Sequence, residues 1–524
     1  MARYAYDRLT ALDNSFLLLE KPNAYMHVAS TVIFEAGPLA TPEGGIDADA
    51  IKQIFASSLH MIPRYRHKLA YVPFTNQPVW VDDDRFNLDY HIRHSGLPRP
   101  GSDAQLKRLS GLIMQQHLDR QRPLWELWII EGLSGGRFAL VSKVHHCMID
   151  GIAGVDMLKI LLSPFETQEI HENPQFIPRP YPSGVELLFD EAAHWAKLPL
   201  QAARGVGGLL AAARDTQRDV LTRGRAVAET LGASFRTASA TPLNGEIGPH
   251  RRFEWLTMNL ADIKAIRRSL GGSLNDIVLT VVTGAVRRFL QRRLVDPRRI
   301  DFRVMTPVSV RTEDERGETG NRVSAWIVDL PVGEEDPRRQ LDAIRRTTAE
   351  LKASRRAVGA EVLTQVAEWT PSTLLALAGR NMTRLLPFNM VVTNVPGPQF
   401  PMYMLGAKLL ETFPHVPLID NLGLGIALLS YDGKLCWGFN ADYDLAPDLA
   451  AYVKATRQSF EELQTLAERV QPTAHGGGRT EDPATRTAAP KATKLTAPKV
   501  SPAAGMPAAA PPQVASTNGA TQHS

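Results

Sequence analysis

An apolar run, Phe138-Ala139-Leu140-Val141-Ser142-Lys143-Val144, leads directly into His145-His146-Cys147-Met148-Ile149-Asp150-Gly151, and then Val155, Leu158, Leu161 and Leu162 recur at helical spacing. A strand handed through a tight Asp-Gly turn into a helix places the chain among folds that mix sheet with helix. The same mixture recurs elsewhere. Val28 to Phe34 and Trp128 to Glu131 read as strands, the latter joined to the histidine strand by Ser134-Gly135-Gly136. Leu106, Leu109, Leu112 and Ile113 form one face of a helix. Further on, Ala261 to Leu270 is helical, Gly271-Gly272 stops it, and a new helix from Asp276 aligns Ile277, Val281, Ala285 and Phe289. Strand-like runs follow at Phe302 to Met305, Val323 to Leu330, Met390 to Thr393, Leu424 to Ser430 and Lys434 to Asn440, with an antiparallel pair expected around Tyr431-Asp432-Gly433. The fold class is α/β or α+β.

At 524 residues the chain exceeds one ordinary domain. No repeat of solenoid or propeller period is present. Residues 1–180 carry the histidine strand and form a first lobe; residues 249–470 form a second. Between them, 181–248 is Pro-clustered and then Ala/Arg-rich, and its helical run from Leu198 to Ala233 reads as a crossover. The alternative for that run is a basic amphipathic helix resting on a membrane surface, which Trp195 and Leu209-Leu210 would suit. From 471 to 524 no aromatic residue occurs and Ala, Pro, Thr and Lys recur without period, so this tail is expected to be disordered.

Charge and cysteine content remove several classes of function. The formal net charge of +4 comes mostly from the tail, which holds five basic and two acidic residues, so nucleic acid is not an expected partner. Cys147 and Cys436 are too few for a disulfide framework or a cysteine metal site. Neither a secretory signal nor a spanning helix is expected, because Leu17-Leu18-Leu19 is broken by Glu20-Lys21 and Gly205 to Ala213 is flanked by arginines. Gly-x-Ser-x-Gly, His-Glu-x-x-His and Walker-type phosphate loops are all missing from the sequence.

Adjacent residues at the end of a strand point to opposite faces, so His145 and His146 serve different purposes. One faces a cleft and can accept a proton from a hydroxyl near neutral pH. The other packs or orients. Asp150 fixes a ring or, paired with an arginine, locks the turn, and Gly151 permits it. Read without function, the same residues are ordinary core histidines followed by a helix cap. A metal site is not expected, because neighbouring histidines lack the i, i+4 spacing that puts two ligands on one helix face.

His145-His146-x-x-x-Asp150-Gly151 resembles the active-site motif of the CoA-dependent acyltransferase superfamily. More narrowly, the chain resembles the bacterial wax ester synthase/diacylglycerol acyltransferase family. The resemblance rests on Leu12-Asp13, Met26-His27-Val28, Arg122-Pro123-Leu124-Trp125-Glu126-Leu127-Trp128, Asn275-Asp276, Pro307-Val308-Ser309-Val310-Arg311, Gly320-Asn321 and Asn394-Val395-Pro396-Gly397-Pro398, and covers most of residues 9 to 465. The superfamily's Asp-Phe-Gly-Trp-Gly signature is absent; the nearest text is Cys436-Trp437-Gly438-Phe439-Asn440.

The resemblance implies two similar mixed-sheet lobes with a tunnel between them. It implies that His146 is a general base, that His145 packs or orients, and that Asp150 and Gly151 are structural. Asn275 and Asp276 would support the site from the second lobe, Asn275 as a donor to the oxyanion, although Ser273 to Asp276 also reads as a helix N-terminus. Pro123, Leu124, Trp125 and Trp128 are expected in the core. The implied activity is transfer of a long acyl chain from acyl-CoA, a co-substrate, to diacylglycerol or to a fatty alcohol, with no bound cofactor. The enzyme would work in the cytoplasm, peripheral to the inner face of the membrane or to lipid droplets. The competing expectations are an acyltransferase using carrier-bound acyl groups and a non-catalytic lipid-droplet protein.

Overall fold

The computed structural model describes residues 6–148, 160–170, 172, 174–193, 237–309, 323–353 and 386–470. The chain divides into two units, Met1–Pro472 and Thr473–Ser524. The Ala/Pro-rich tail, the whole helical run expected from Leu198 to Ala233 together with Trp195, and Asp150 and Gly151 lie outside the described residues.

The first half supplies strands β1 (Tyr6–Arg8), β2 (His27–Glu35), β3 (His67–Tyr71), β4 (Pro78–Asp82), β5 (Ile92–Gly96), β6 (Trp125–Leu133) and β7 (Arg137–His145). Its helices are α1 (Ala11–Leu19), α2 (Ala48–Ser58), α3 (Leu88–His91) and α4 (Asp103–Met114). The second half supplies β8 (Arg251–Asn259), α5 (Leu260–Leu270), α6 (Leu274–Arg292), β9 (Phe302–Ser309), β10 (Val323–Leu330), α7 (Pro337–Ala353), β11 (Met390–Pro396), β12 (Tyr403–Met404), β13 (Ala407–His415), β14 (Leu424–Tyr431), β15 (Lys434–Asp442) and α8 (Leu449–Val470).

Among the described residues these strands form three sheets. One small antiparallel sheet has the order β1-β4-β3; the two larger ones run β12-β13-β2-β7-β6-β5 and β10-β9-β11-β14-β15-β8. Both larger sheets are mixed, with β5/β6, β9/β11 and β11/β14 parallel. Strand parity decides what each face buries. Phe138, Leu140 and Val144 of β7 face a core shared with Ile51, Ile54 and Phe55 of α2, whereas Ala139 and Val141 face α4 and the second sheet.

The strand pairing does not respect the expected boundary at residue 249. β12 and β13 lie in the second half of the chain, yet β13 pairs antiparallel with β2, His415 opposite Ala29. An open β2 edge would expose unpaired backbone groups, and β13 covers it. β13 then forms the seam between the lobes. Phe413 stacks on Trp255 with ring centroids 4.7 Å apart, and the Thr257 hydroxyl donates to Glu411 at 2.8 Å. β15 passes so close that a Cβ on Gly438 would lie 1.8 Å from the Pro414 carbonyl oxygen.

Helices α5, α6 and α8 cover the outer face of the second sheet. Ser273 and Asp276 cap α6 reciprocally, and Ile277, Val278, Val281, Val282, Ala285 and Leu290 are buried along it. Each large apolar side chain so buried contributes about 1.5–3 kcal/mol. Among the described residues no single helix is long and apolar enough to cross a membrane; α5 and α6 reach that length only as a pair bent by 97°.

Candidate active site

β7 ends on His145, and the following 3-10 turn, His146–Met148, takes His146 out of the alternation of the strand. The two rings consequently enter different surroundings. Backbone hydrogen bonds fix both: His145 N–H donates to Leu124 O at 2.9 Å and His146 N–H to Met26 O at 2.7 Å. Met26 ends a segment that packs against the second lobe, where Lys21 pairs with Asp420 and Arg251 donates to Asn23 O. His146 is thus tied by its backbone to a segment that reaches the second lobe, and its ring stacks on Phe16 of α1 with ring centroids 3.8 Å apart.

His146 is half-buried, and its Nδ1 is shielded with no hydrogen-bond partner among the described residues. Burial lowers its pKa to about 4; an interaction with its own backbone opposes this, and the nearby His145 adds to it. The ring is neutral at physiological pH and able to accept a proton.

His145 is enclosed. Its Nδ1 accepts from the Cys147 N–H at 3.2 Å and lies 2.9 Å from the Cys147 thiol. With Nδ1 occupied as an acceptor, the hydrogen-bond pattern assigns the ring proton to Nε2. Nε2 faces Glu20, 3.6 Å from Oε2, while the other carboxylate oxygen is 3.5 Å from His27 Nε2. Arg120 completes the group, its Nη2 donating to Glu20 Oε2 at 2.5 Å and to Leu17 O at 3.3 Å. Burial works against a charge on Glu20, but the nearby His145 ring and the hydrogen bond from Arg120 outweigh it and hold the carboxyl at about 2. His27 is driven well below the usual imidazole range, first by burial and then by Lys143 and His145. The neighbouring Cys147 thiol is pushed well above its ordinary range by burial and by the charges of Asp13 and Glu20, which leaves it a poor nucleophile.

The other residues singled out by sequence fall in different places. Asp150, Gly151, Val310-Arg311 and Gly320-Asn321 lie outside the described residues. Asp276 is buried and committed to structure: one carboxylate oxygen accepts the Ser273 N–H at 2.7 Å and the other the Thr348 hydroxyl at 2.8 Å. Asn275 is exposed, and its side-chain oxygen accepts from Asn394 at 2.8 Å, which brings two of the quoted motifs together. Among the described residues no hydrogen bond or ring contact joins Asn275 to His146. Trp125 is fully buried, donating its indole N–H to Tyr65 O at 2.8 Å and stacking on His91, so the Pro-Leu-Trp run is core. The sequence reading missed Phe16, Glu20 and Arg120 altogether. The signal for Glu20 was limited to its ending of an apolar helix. Among the described residues, no cluster of His, Cys, Asp and Glu could hold a metal ion.

Two family models match: the wax ester synthase/diacylglycerol acyltransferase catalytic domain over residues 9–278, and the C-terminal domain of the same family over 319–464. The probable diacylglycerol O-acyltransferase tgs1 of Mycobacterium tuberculosis is 31% identical over 479 residues, spanning 90% of this chain and 98% of that protein. The O-acyltransferase WSD of Acinetobacter baylyi is 30% identical over 467 residues, or 86% and 96% of the two chains. Among solved structures, the wax ester synthase/diacylglycerol acyltransferase of Marinobacter aquaeolei superposes with a TM-score of 0.61 at 26% identity, covering 88% of this chain and 100% of that one. With its two mixed-sheet lobes and a histidine pair at the end of β7, the chain belongs to the wax ester synthase/diacylglycerol acyltransferase family.

Proposed function

We propose that the protein transfers a long-chain acyl group from acyl-CoA to the free hydroxyl of diacylglycerol, releasing triacylglycerol and CoA, with fatty alcohols as second acceptors giving wax esters. The observation that carries this reading is the neutral His146 ring in the turn after β7, in a chain of this family. His146 takes the hydroxyl proton as the oxygen attacks the thioester carbon. The tetrahedral intermediate collapses, the C–S bond breaks, and the protonated imidazole returns its proton to the CoA thiolate. No acyl-enzyme forms on this route, and the buried, high-pKa Cys147 thiol favours it over a covalent one.

His145 and Glu20 act through His146, holding the turn that presents it. Asn275 accepts from Asn394 through its oxygen, and its amide N–H groups, which make no hydrogen bond among the described residues, are the donors for an oxyanion. Asp150 and Gly151 keep the supporting role that their place in the motif implies, and Asp276 supports the cap of α6. Both substrates are apolar, so the enzyme works at a lipid surface, peripheral to the inner face of the membrane or to droplets. Exposed Phe74, Ile177, Tyr181, Val185 and Phe189 support such an attachment, the last two one helical turn apart.

The test is free-thiol release from palmitoyl-CoA by the purified protein with diacylglycerol, with hexadecanol, or without acceptor. Acceptor-dependent release is expected, and His146→Ala should lower it about 10²–10⁴-fold while leaving the fold intact. Wild-type turnover in the variant would remove His146 from the mechanism. Release with no acceptor, or none with any, would overturn the acyl-CoA reading in favour of a hydrolase, a carrier-bound substrate or a lipid-binding scaffold.

A further inference from the structure

A cavity of about 350 Å³ opens beside the small β1-β4-β3 sheet, at a distance in sequence from every residue given a catalytic role. Its walls include His60, Arg66, His67, Phe176 and Arg179. Arg66 is the unusual member. It is only 8% exposed, its Nε is fully shielded, and its guanidinium has no hydrogen bond or ion pair among the described residues. Phe176 lies under it at 4.4 Å, which fixes the guanidinium plane without neutralising it.

The carboxylates of the cavity answer this charge only at a distance: Asp82 favours the Arg66 cation electrostatically but makes no hydrogen bond or close ion pair with it. Asp82 is saturated by Arg179: its Oδ2 accepts the Arg179 backbone N–H at 2.8 Å, and its Oδ1 accepts from Nε at 3.1 Å and Nη2 at 2.8 Å. Asp82 Oδ1 is also 3.2 Å from His67 Nε2. Asp7 stands at the mouth, its side chain 46% exposed and 3.9 Å from both His67 and Arg179. A guanidinium this enclosed, with no hydrogen bond to a carboxylate among the described residues, is costly to bury, and an anion that pairs with it directly lowers that cost. A planar guanidinium matches the oxygens of a phosphate in pairs, and the cavity is large enough for a small organic group around that phosphate.

We propose that this cavity binds a phosphate ester, with Arg66 as the buried anchor and His60 and Arg179 at the rim. His60 suits the position: its Nδ1 is 2.8 Å from Ser57 O, which fixes the ring and leaves Nε2 for a ligand. Two sources share this chemistry, a phospholipid head group and the nucleotide end of acyl-CoA, the latter resting on the function proposed above. The turn Pro63–Arg66 borders both places, since Arg64 acts electrostatically on the Cys147 thiol next to His146.

The experiment titrates the full chain with adenosine 3′,5′-bisphosphate by calorimetry and, separately, sediments it with phosphatidylcholine vesicles with or without phosphatidic acid. Arg66→Met, which keeps the stem packed on Phe176, should weaken the responding probe by about tenfold or more, and Arg66→Lys should restore part of it. If Arg66→Met unfolds, as circular dichroism would reveal, His60→Gln at the exposed rim should still weaken binding severalfold. Nucleotide binding lost in the variant, with a matching rise in KM for palmitoyl-CoA, assigns the site to acyl-CoA. Vesicle binding that needs phosphatidic acid and Arg66 assigns it to a head group. The proposal is overturned if neither probe binds the wild type at millimolar concentration, or if the variants bind as the wild type does. Binding that persists in a protein without acyltransferase turnover would overturn the function and leave the site standing.

Discussion

Glu20 joins three basic groups: Arg120 Nη2 lies 2.5 Å and His145 Nε2 3.6 Å from its Oε2, and His27 Nε2 lies 3.5 Å from its Oε1. A carboxyl held at about 2 stays ionised wherever the protein is folded, so its contribution is complete above its ordinary value of 4.5 and is lost as pH falls toward 2. Glu20→Gln removes the charge and keeps the shape. It should cost about 1–3 kcal/mol of stability and, by loosening the turn that presents His146, lower kcat roughly 10- to 100-fold. KM for palmitoyl-CoA should change little, and Glu20→Asp should recover part of kcat, the split expected of a positioning residue. Wild-type kcat in Glu20→Gln would show that the His145 contact is structural only. The histidine pair was legible because two adjacent residues and a strand announce themselves in one line of sequence. Glu20 and Arg120 were not, since their hydrogen bond spans 100 residues and neither belongs to a local pattern.

At the scale of elements, the β14–β15 hairpin was readable because Asp432 and Gly433 both need positive φ, 41° and 75°, and their dipeptide says so. β13 was not. Its partners are remote in sequence, Ser30 and Thr412 being 382 residues apart and Thr31 and His415 384, and Pro414 and Glu411 interrupt the apolar alternation a strand usually shows. The strand exists because two sheets need it, one for an edge and the other for a face. Gly438 tests that dependence. A methyl group there meets Pro414 O at 1.8 Å, backbone against backbone, so Gly438→Ala must separate β13 from β15. A loss of about 3 kcal/mol or more is expected in urea unfolding, with acyltransfer falling as the seam between the lobes opens. Gly37→Ala is the control, since nothing lies within 4 Å of the added atom, and it should stay within about 0.5 kcal/mol of wild type. Equal stability of the two variants would show that β13 is not held between the sheets.

Over the whole molecule, the fold buries histidine rings on strands, a short helix and a turn alike. Burial is the largest cause in every case: His67, His91 and His146 are lowered to about 4, His415 to about 3, and His27 well below the ordinary 6.5. The unfolded chain takes up protons at all five positions as pH falls through 6.5, whereas the folded chain resists them until about pH 4 at His67, His91 and His146 and about pH 3 at His415, with His27 shifted in the same direction. Unfolding near pH 5 must therefore take up roughly four protons. Each contributes up to about 1.4 kcal/mol per pH unit, with stability rising with pH across this window. Cooling the solution or adding salt would not reproduce the effect, because its origin is desolvation rather than pairing. The urea midpoint should fall steeply from pH 6.5 to pH 4.5 and change little from 7.5 to 8.5, and a pH-indicator dye should register proton uptake on unfolding at pH 5. A midpoint that holds steady between pH 6.5 and 5 would mean that these rings carry their protons in the folded state, His146 among them, and a protonated His146 cannot serve as the base. The acid limb of stability and the acid limb of turnover thus report on the same burial, the first through five histidines together and the second through one.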